Sequence, residues 1–404
     1  MLIGLAVSIF LGRTIGAEGL GIINLSFRIV QILLILGLLG MPQVIIKEVA
    51  IACNQNNLQQ IGDVMYTSYF MNGALSLMLS VIVIIFAPWI SENLFNEPLL
   101  TWPLIIAVIV MTPMVFSRIF SSGLVGFKKI WQSNLVDQTL SIAITGVILI
   151  TISLFNFPIT VNTAAIAYAI GRIGVTISIG IYWHSIYHSN GKRKYIGNVL
   201  FKTAKHLLIV SAATVLFNSL DLIFLGYFED SEQVGLYSVA KRLSLLTIFF
   251  LQITNSAISP KIAALYKTGN VKEIETMVRR VTIGLMIIGA LFLATFIIFG
   301  RLFLSIWGSQ FADSYLILVI LSIGQFVSIG SGAVGIILIM TGNENVQKNI
   351  SLSFLAINIV LNIVLINLYG ITGAAIAAAL TIAGINITKI IYVIKKTGIN
   401  ILGI

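Results

Sequence analysis

The stretch "QVGLYSVAKRLSLL" at residues 233–246 sets two adjacent cations, Lys241 and Arg242, inside what reads as the start of a lipid-buried helix. A related frame, "LGIINLSFRIVQI" at residues 20–32, occurs 214 positions earlier, with Gly21 matching Gly235 and Arg28 matching Arg242. The match extends outward. Residues 1–28 align without a gap to 215–242, and 8 of the 28 pairs are identical, "IFLG" at 9–12 and 223–226 among them. Lys47 matches Lys261 at the same offset, "NNLQQI" at 56–61 resembles "GNVKEI" at 269–274, and "TAAIAYAI" at 163–170 resembles "GAAIAAAL" at 373–380. Their shared order and offsets predict an internal duplication.

Composition says where such a repeat lives. The chain has 404 residues, 58% hydrophobic and 9% charged, with a mean hydropathy of +1.03. Soluble domains carry about 25% charged residues, so most of this surface is not built to face water. Apolar runs long enough to cross a bilayer recur along the whole chain. They predict spans near 1–12, 22–46, 64–87, 103–123, 134–156, 160–183, 205–227, 235–258, 280–300, 313–341, 348–368 and 371–394. The expected fold is therefore all-α: a polytopic membrane protein of about 12 transmembrane helices in two six-helix lobes related by a parallel repeat. The lobes are expected at 1–183 and 205–404, joined by the polar cytoplasmic linker "HSIYHSNGKRKYIGNVLFKTA" at 184–204. The first span has only 12 residues before Arg13. That is short for about 30 Å of hydrocarbon, so the chain is expected to be N-terminally short.

The charges orient the chain. With both termini inside, cytoplasmic loops hold 17 basic residues, Arg118, Lys128, Lys129 and Lys192 among them, whereas outer loops hold only Arg13 and Arg301. Outer connections such as "FEDSEQ" at 228–233 and "SENLFNEP" at 91–98 are acidic. That asymmetry follows the positive-inside rule. It also accounts for the net charge of +10 without nucleic acid. The single Cys53 excludes an internal disulfide, and no cleavable signal precedes the first apolar run.

Seven ionisable residues fall within the predicted spans: Arg28, Arg172, Lys241, Arg242 and Lys389, with Asp137 and Asp221. Each costs about 2.5–3.5 kcal/mol at mid-membrane on insertion scales, so they should face a cavity or a partner. Helical spacing groups them into stripes: Asn24, Arg28 and Gln31; Tyr168, Arg172 and Thr176; Ser211, Thr214, Asn218 and Asp221; and Ser238, Arg242, Gln252, Ser256 and Ser259. Two readings compete. Asp221 pairs with Lys241 or Arg242 across neighbouring helices, while Lys389, Lys241 and Asp137 snorkel from span ends. Alternatively, Arg28, Arg172, Asp221, Lys241 and Arg242 line a cationic cavity that suits an anionic substrate, since guanidinium matches phosphate bidentately. His184 and His188 are spaced for a metal, yet no carboxylate or cysteine stands beside them in the linker, and interfacial residues are expected. There is no phosphate-binding glycine loop and no nucleophile–base–acid set, so neither a cofactor nor an enzymatic activity is predicted. Pro113 in the fourth span predicts a kink.

Three stretches carry a resemblance: "LGRTIGAEGLGIINLSFRIVQILLILGLLGMPQVIIKEVA" at 11–50, "VGLYSVAKRLSLL" with Asp221 upstream, and "NLYGITGAAIAAALT" at 367–381. The chain resembles the Wzx-type polysaccharide flippases, of the superfamily that includes multidrug-and-toxin extruders and the lipid II flippase. The resemblance implies a two-lobed bundle in the bacterial plasma (inner) membrane. It would carry undecaprenyl-pyrophosphate-linked repeat units outward for O-antigen or other surface polysaccharide. Arg28, Arg172, Lys241 and Arg242 are then positions that fill the family's basic cavity. The implied partners are the lipid-linked oligosaccharide, the bilayer and other membrane proteins of polysaccharide assembly. The rival within the superfamily is a cation-coupled drug exporter, which needs cavity acids, whereas these spans hold five basic residues against two acids. A membrane enzyme of polysaccharide assembly is the rival from another class.

Overall fold

Lipid offers backbone amides no partner, so an apolar run must close its own hydrogen bonds as a helix. The computed structural model describes residues 2–188 and 193–400, and no strand occurs among them. In chain order the helices are α1 (Leu2–Leu38), α2 (Met41–Asn54), α3 (Leu58–Trp89), α4 (Thr101–Ile109), α5 (Met111–Gly126), α6 (Ile130–Asn134), α7 (Ser141–Leu154), α8 (Val161–Ile186), α9 (Gly197–Phe228), α10 (Ser231–Ser244), α11 (Ile248–Lys267), α12 (Val271–Ser305), α13 (Tyr315–Gly330), α14 (Val334–Met340) and α15 (Glu344–Thr397). Nine helical stretches among the described residues are long and apolar enough to cross a membrane. Two of them are double, because α1 breaks at Gly16 and α15 at Gly370. With the shorter apolar helix α7 these make twelve apolar segments. The chain is an all-α polytopic membrane protein.

The side chains are sorted inside out relative to a soluble protein. Along α3, Ser68, Asn72, Ser76 and Ser80 follow one another a turn apart and are buried, while Leu77, Ile85 and Phe86 on the other side are exposed. Asn72 donates to the Gly37 carbonyl at 2.8 Å and Ser80 to that of Val108 at 3.1 Å. On α12 the exposed residues Ile287, Leu291, Ile298 and Leu302 form the opposite stripe to Thr282, Gly289 and Gly300, which are buried. Small and hydroxylated residues between helices, with branched aliphatics outward, are what a hydrocarbon solvent selects.

The chain divides into two compact units, Met1–Ser219 with Asp230–Glu232, and Leu220–Glu229 with Gln233–Ile404. Both ends of the 184–204 stretch are helical, since α8 runs to Ile186 and α9 starts at Gly197. Lys192 lies outside the described residues, as does the side chain of Asp137.

Two interruptions have visible causes. α4 ends at Ile109 and α5 starts at Met111, where Pro113 lacks the N–H that would bond the Ile109 carbonyl and its ring crowds that carbonyl. The sequence-predicted kink is thus a break one turn ahead of the proline. In α15, Asn358 on the first arm donates to Thr381 Oγ1 on the second at 3.1 Å, so the chain folds back on itself at Gly370. Gly370 has φ 55° and ψ −137°, a conformation open only to glycine at low cost. Three residues later, a Cβ on Gly373 would overlap the Leu365 carbonyl. Gly373→Ala is therefore expected to force the two arms apart and lower stability by more than the 1–3 kcal/mol typical of a strained residue. The melting temperature of the detergent-purified protein checks this, and an unchanged value would show that the arms separate freely.

Candidate functional site

Within the N-terminal unit the second half of α1 carries Asn24, Arg28 and Gln31 on one face, as the spacing predicted. Arg28 is half-buried and has no hydrogen bond, ion pair or ring contact among the described residues. The preceding side chain, Phe27, packs on Tyr168 of α8 with ring centroids 4.0 Å apart. One turn further along α8, the Arg172 guanidinium lies 5.8 Å from the Tyr168 ring. Arg172 is only 7% exposed, so its charge is held between helices, where a ring face supplies attraction. Thr176 completes that stripe, its hydroxyl near both the Arg172 carbonyl (2.9 Å) and the Pro113 carbonyl (3.0 Å). The break before Pro113 is thereby tied to the helix that carries Arg172.

A cavity of about 310 Å³ opens in the same unit, and Gln31 and Ile35 bring the α1 stripe to its wall. Among its described lining residues the cation is Arg118, from the middle of α5. Arg118 was counted above with the cytoplasmic loops. The structure corrects this: it lies inside a membrane-length helix, within the apolar window 103–123, and its placement there was the signal the charge count passed over. Ser121, Ser122, Ser133, Asn134, Gln43 and Ser211 supply further polar lining, and Leu34, Ile46 and Val125 the apolar wall. Gly40, also at the wall, marks the turn between α1 and α2 with φ 74°. A Cβ there would sit 2.7 Å from the Ala204 carbonyl of α9, so α9 packs directly on that turn. No carboxylate and no aromatic ring is among the cavity's described lining residues.

In the C-terminal unit the expected ion pair forms, and it selects one of the two cations. Lys241 Nζ meets Asp221 Oδ2 at 2.5 Å. The same oxygen accepts from the Tyr237 hydroxyl at 2.8 Å, and Oδ1 accepts from the Leu222 amide at 3.0 Å. Tyr237 was missed by sequence reading, although it stands one turn before Lys241 on α10. Asp221 is 4% exposed. Arg242 is half-buried on the adjacent face of α10. Of the five candidates, Lys241 and Asp221 are thus placed together. Arg28 and Arg172 sit on neighbouring segments of the other unit. His184 ends its helix with Nδ1 2.8 Å from the Gly180 carbonyl, and no group of three metal-ligating side chains occurs among the described residues.

Known proteins of this type match both sequence and fold. The family described as "Polysaccharide biosynthesis protein" matches residues 1–266, about two thirds of the chain, and the chain belongs to that family. It is 24% identical over 392 residues to the probable flippase AglR of Haloferax volcanii, covering 94% of this chain and 77% of that one. It is also 24% identical over 185 residues to the probable low-salt glycan biosynthesis flippase Agl15 of the same organism. That match spans 46% of this chain and well under half (39%) of Agl15. Among solved structures, an inward-facing multidrug resistance MATE family transporter of the MOP superfamily superposes with a TM-score of 0.77 at 17% identity, covering 98% of this chain and 95% of that one. The lipid II flippase MurJ superposes with a TM-score of 0.75 at 14% identity, covering 97% and 85%. The fold is that of the MOP superfamily, in agreement with the resemblance read from the sequence.

Proposed function

We propose that the protein is a flippase that moves a lipid-linked glycan across the plasma membrane by alternating access, with both termini cytoplasmic. The carrier would be a polyprenyl diphosphate, undecaprenyl diphosphate in a bacterial host. The observation that carries this reading is Arg28, a half-buried guanidinium on a membrane helix with no protein partner among the described residues. Leaving such a charge unmatched in a low-dielectric layer costs several kcal/mol, and a passing diphosphate would offset that cost by bidentate pairing. Arg118 and Arg172 add further basic side chains within the same N-terminal unit. Two lobes, 1–183 and 205–404 joined through 184–204 and related by the internal repeat, would rock to expose them to either side. Family membership and the flippase relatives support this reading.

The second reading is a cation-coupled multidrug exporter, which the MATE neighbour favours. A cationic drug needs carboxylates or aromatic faces to hold it, and neither is among the described lining residues of the 310 Å³ cavity. An assembly enzyme is disfavoured because the relatives are named as flippases. Deleting the gene and analysing the membrane lipids separates the readings. Lipid-linked glycan trapped on the cytoplasmic leaflet is expected. An unchanged lipid pool with altered drug sensitivity would replace the flippase by the exporter.

A further inference from the structure

In the C-terminal unit Lys241 finds an acid, whereas Lys389, on the second arm of α15, does not. Its Nζ comes to rest between α14 and the first arm of α15, beside Gly335 and the Gln347 amide. Lys389 and Gln347 are half-buried, and the Gln347 Oε1 atom is wholly so. Neither side chain has a hydrogen bond, ion pair or ring contact among the described residues. The amide one turn away, Asn386, is by contrast engaged, accepting from Ser331 at 3.1 Å and donating to the Ile382 carbonyl at 2.8 Å. The surrounding helices supply no counter-ion. α13 and α14, which pack on α15, contain no acid. The one acid of α15 is Glu344, exposed at its start and without an ion pair among the described residues. An ammonium and an amide oxygen left unmatched between helices are costly unless something from outside the chain completes them.

Gly335 marks where that group would sit. A Cβ there would stand 3.5 Å from Gln347 Nε2, 3.6 Å from its Oε1 and 3.7 Å from Lys389 Nζ. The missing side chain thus leaves room at a point about equally far from both polar groups, where one ligand atom would reach both. An ammonium asks for an anionic oxygen, and a primary amide both donates and accepts. A phosphate ester that also carries a hydroxyl offers both. We infer that Lys389 and Gln347, over Gly335, hold the head-group phosphate of one anionic phospholipid drawn from the bilayer. Depth favours the bilayer over free phosphate as the source. Lys389 lies six residues before Lys395, and Gln347 three residues after the start of α15, so the site is within about two turns of the helix ends. Lys348, Lys395 and Lys396 mark those ends as the cytoplasmic ones under the orientation proposed above. Basic pockets between membrane helices on that side take lipid head groups. The site does not depend on what the protein transports.

The test uses the full chain, purified in detergent and stripped of lipid, with phosphatidylglycerol, phosphatidylcholine and inorganic phosphate as probes. Native mass spectrometry counts the lipids that stay bound. The wild type is expected to retain one phosphatidylglycerol at least about tenfold better than phosphatidylcholine, the worth of one hydrogen bond to a charged group. Excess phosphate should not displace it. Gly335→Ala should bring the two lipids within about twofold at an undiminished melting temperature, because the methyl takes the ligand's place at ordinary contact distances and alanine favours a helix. Lys389→Met should also abolish the preference, and Lys389→Arg should keep it. Lys396→Gln, which removes an exposed cation at the same end, should leave it in place. Equal retention of the two lipids by the wild type would overturn the site. A preference that survives in both Gly335→Ala and Lys389→Met, or that vanishes in Lys396→Gln, would do the same by reducing it to surface charge. Displacement by phosphate would overturn the bilayer lipid as the occupant.

Discussion

Asp221→Leu is expected to lower the stability of the C-terminal unit by about 3–5 kcal/mol, because it leaves Lys241 buried opposite an apolar side chain. The Lys241 side chain is only 15% exposed, so its ammonium must lose its proton or draw in water. The Tyr237 hydroxyl loses its acceptor at the same time. Neutral polar contacts inside membrane proteins average nearer 0.6 kcal/mol. The size of the loss therefore reports whether a bare charge has been left behind. Asp221→Leu combined with Lys241→Met should recover most of it, since replacing both partners of a buried pair by apolar groups of similar volume is often neutral. Thermal unfolding of the detergent-solubilised variants gives the stability cycle, and glycan translocation gives a second readout. A stable double variant that still translocates makes the pair a structural clamp between α9 and α10. A stable but inactive one assigns Lys241 or Asp221 to the substrate path. A loss below about 1 kcal/mol for Asp221→Leu alone would mean that the pair contributes little.

The span pattern was legible because hydrocarbon thickness sets a length and removes charges, two quantities that composition reports directly. Gly16 and Gly370 were harder. The chain stays helical on both sides of each, so the predicted loop 13–21 is reduced to one residue of non-helical geometry. That Asp221 would find a cation was also legible. Which cation was not: Lys241 and Arg242 are successive residues about 100° apart around α10, and the rotation of a helix against its neighbours is fixed by packing. The structure turns Lys241 towards Asp221, and leaves Arg242, which the alignment of residues 1–28 with 215–242 sets opposite Arg28, on the next face. The cavity was not legible at all, since Gln31, Arg118, Asn134 and Ser211 are far apart in sequence and meet only through the packing of separate helices. Arg118 was within reach, being an arginine inside an apolar window, but counting it as a loop charge hid it.

Arg28 and Arg172 are expected to respond differently to the same substitution, and the difference separates substrate binding from packing. Arg28 has no protein partner among the described residues, so Arg28→Ala removes little from the folded protein. If its guanidinium pairs with a diphosphate, the loss is about 1.5–3 kcal/mol, the worth of hydrogen bonds to a charged group. That corresponds to a roughly ten- to hundredfold drop in glycan translocation at an unchanged melting temperature. Arg28→Lys should retain part of the activity, since an ammonium keeps the charge but loses the planar fork. Arg172 is more deeply built in, 7% exposed and set against the Tyr168 ring that also packs on Phe27. Arg172→Ala should therefore lower both translocation and stability, through lost packing as well as lost charge. Arg172→Lys becomes the informative variant, since it keeps the charge and much of the apolar stem. Surface glycan and the leaflet distribution of lipid-linked glycan measure translocation, and detergent melting curves measure stability. Normal translocation in both Arg28→Ala and Arg172→Lys would remove the cationic path through the N-terminal unit. A stable, inactive Arg28→Ala protein would place the diphosphate at the start of the stripe whose next turn, at Gln31, reaches the cavity wall.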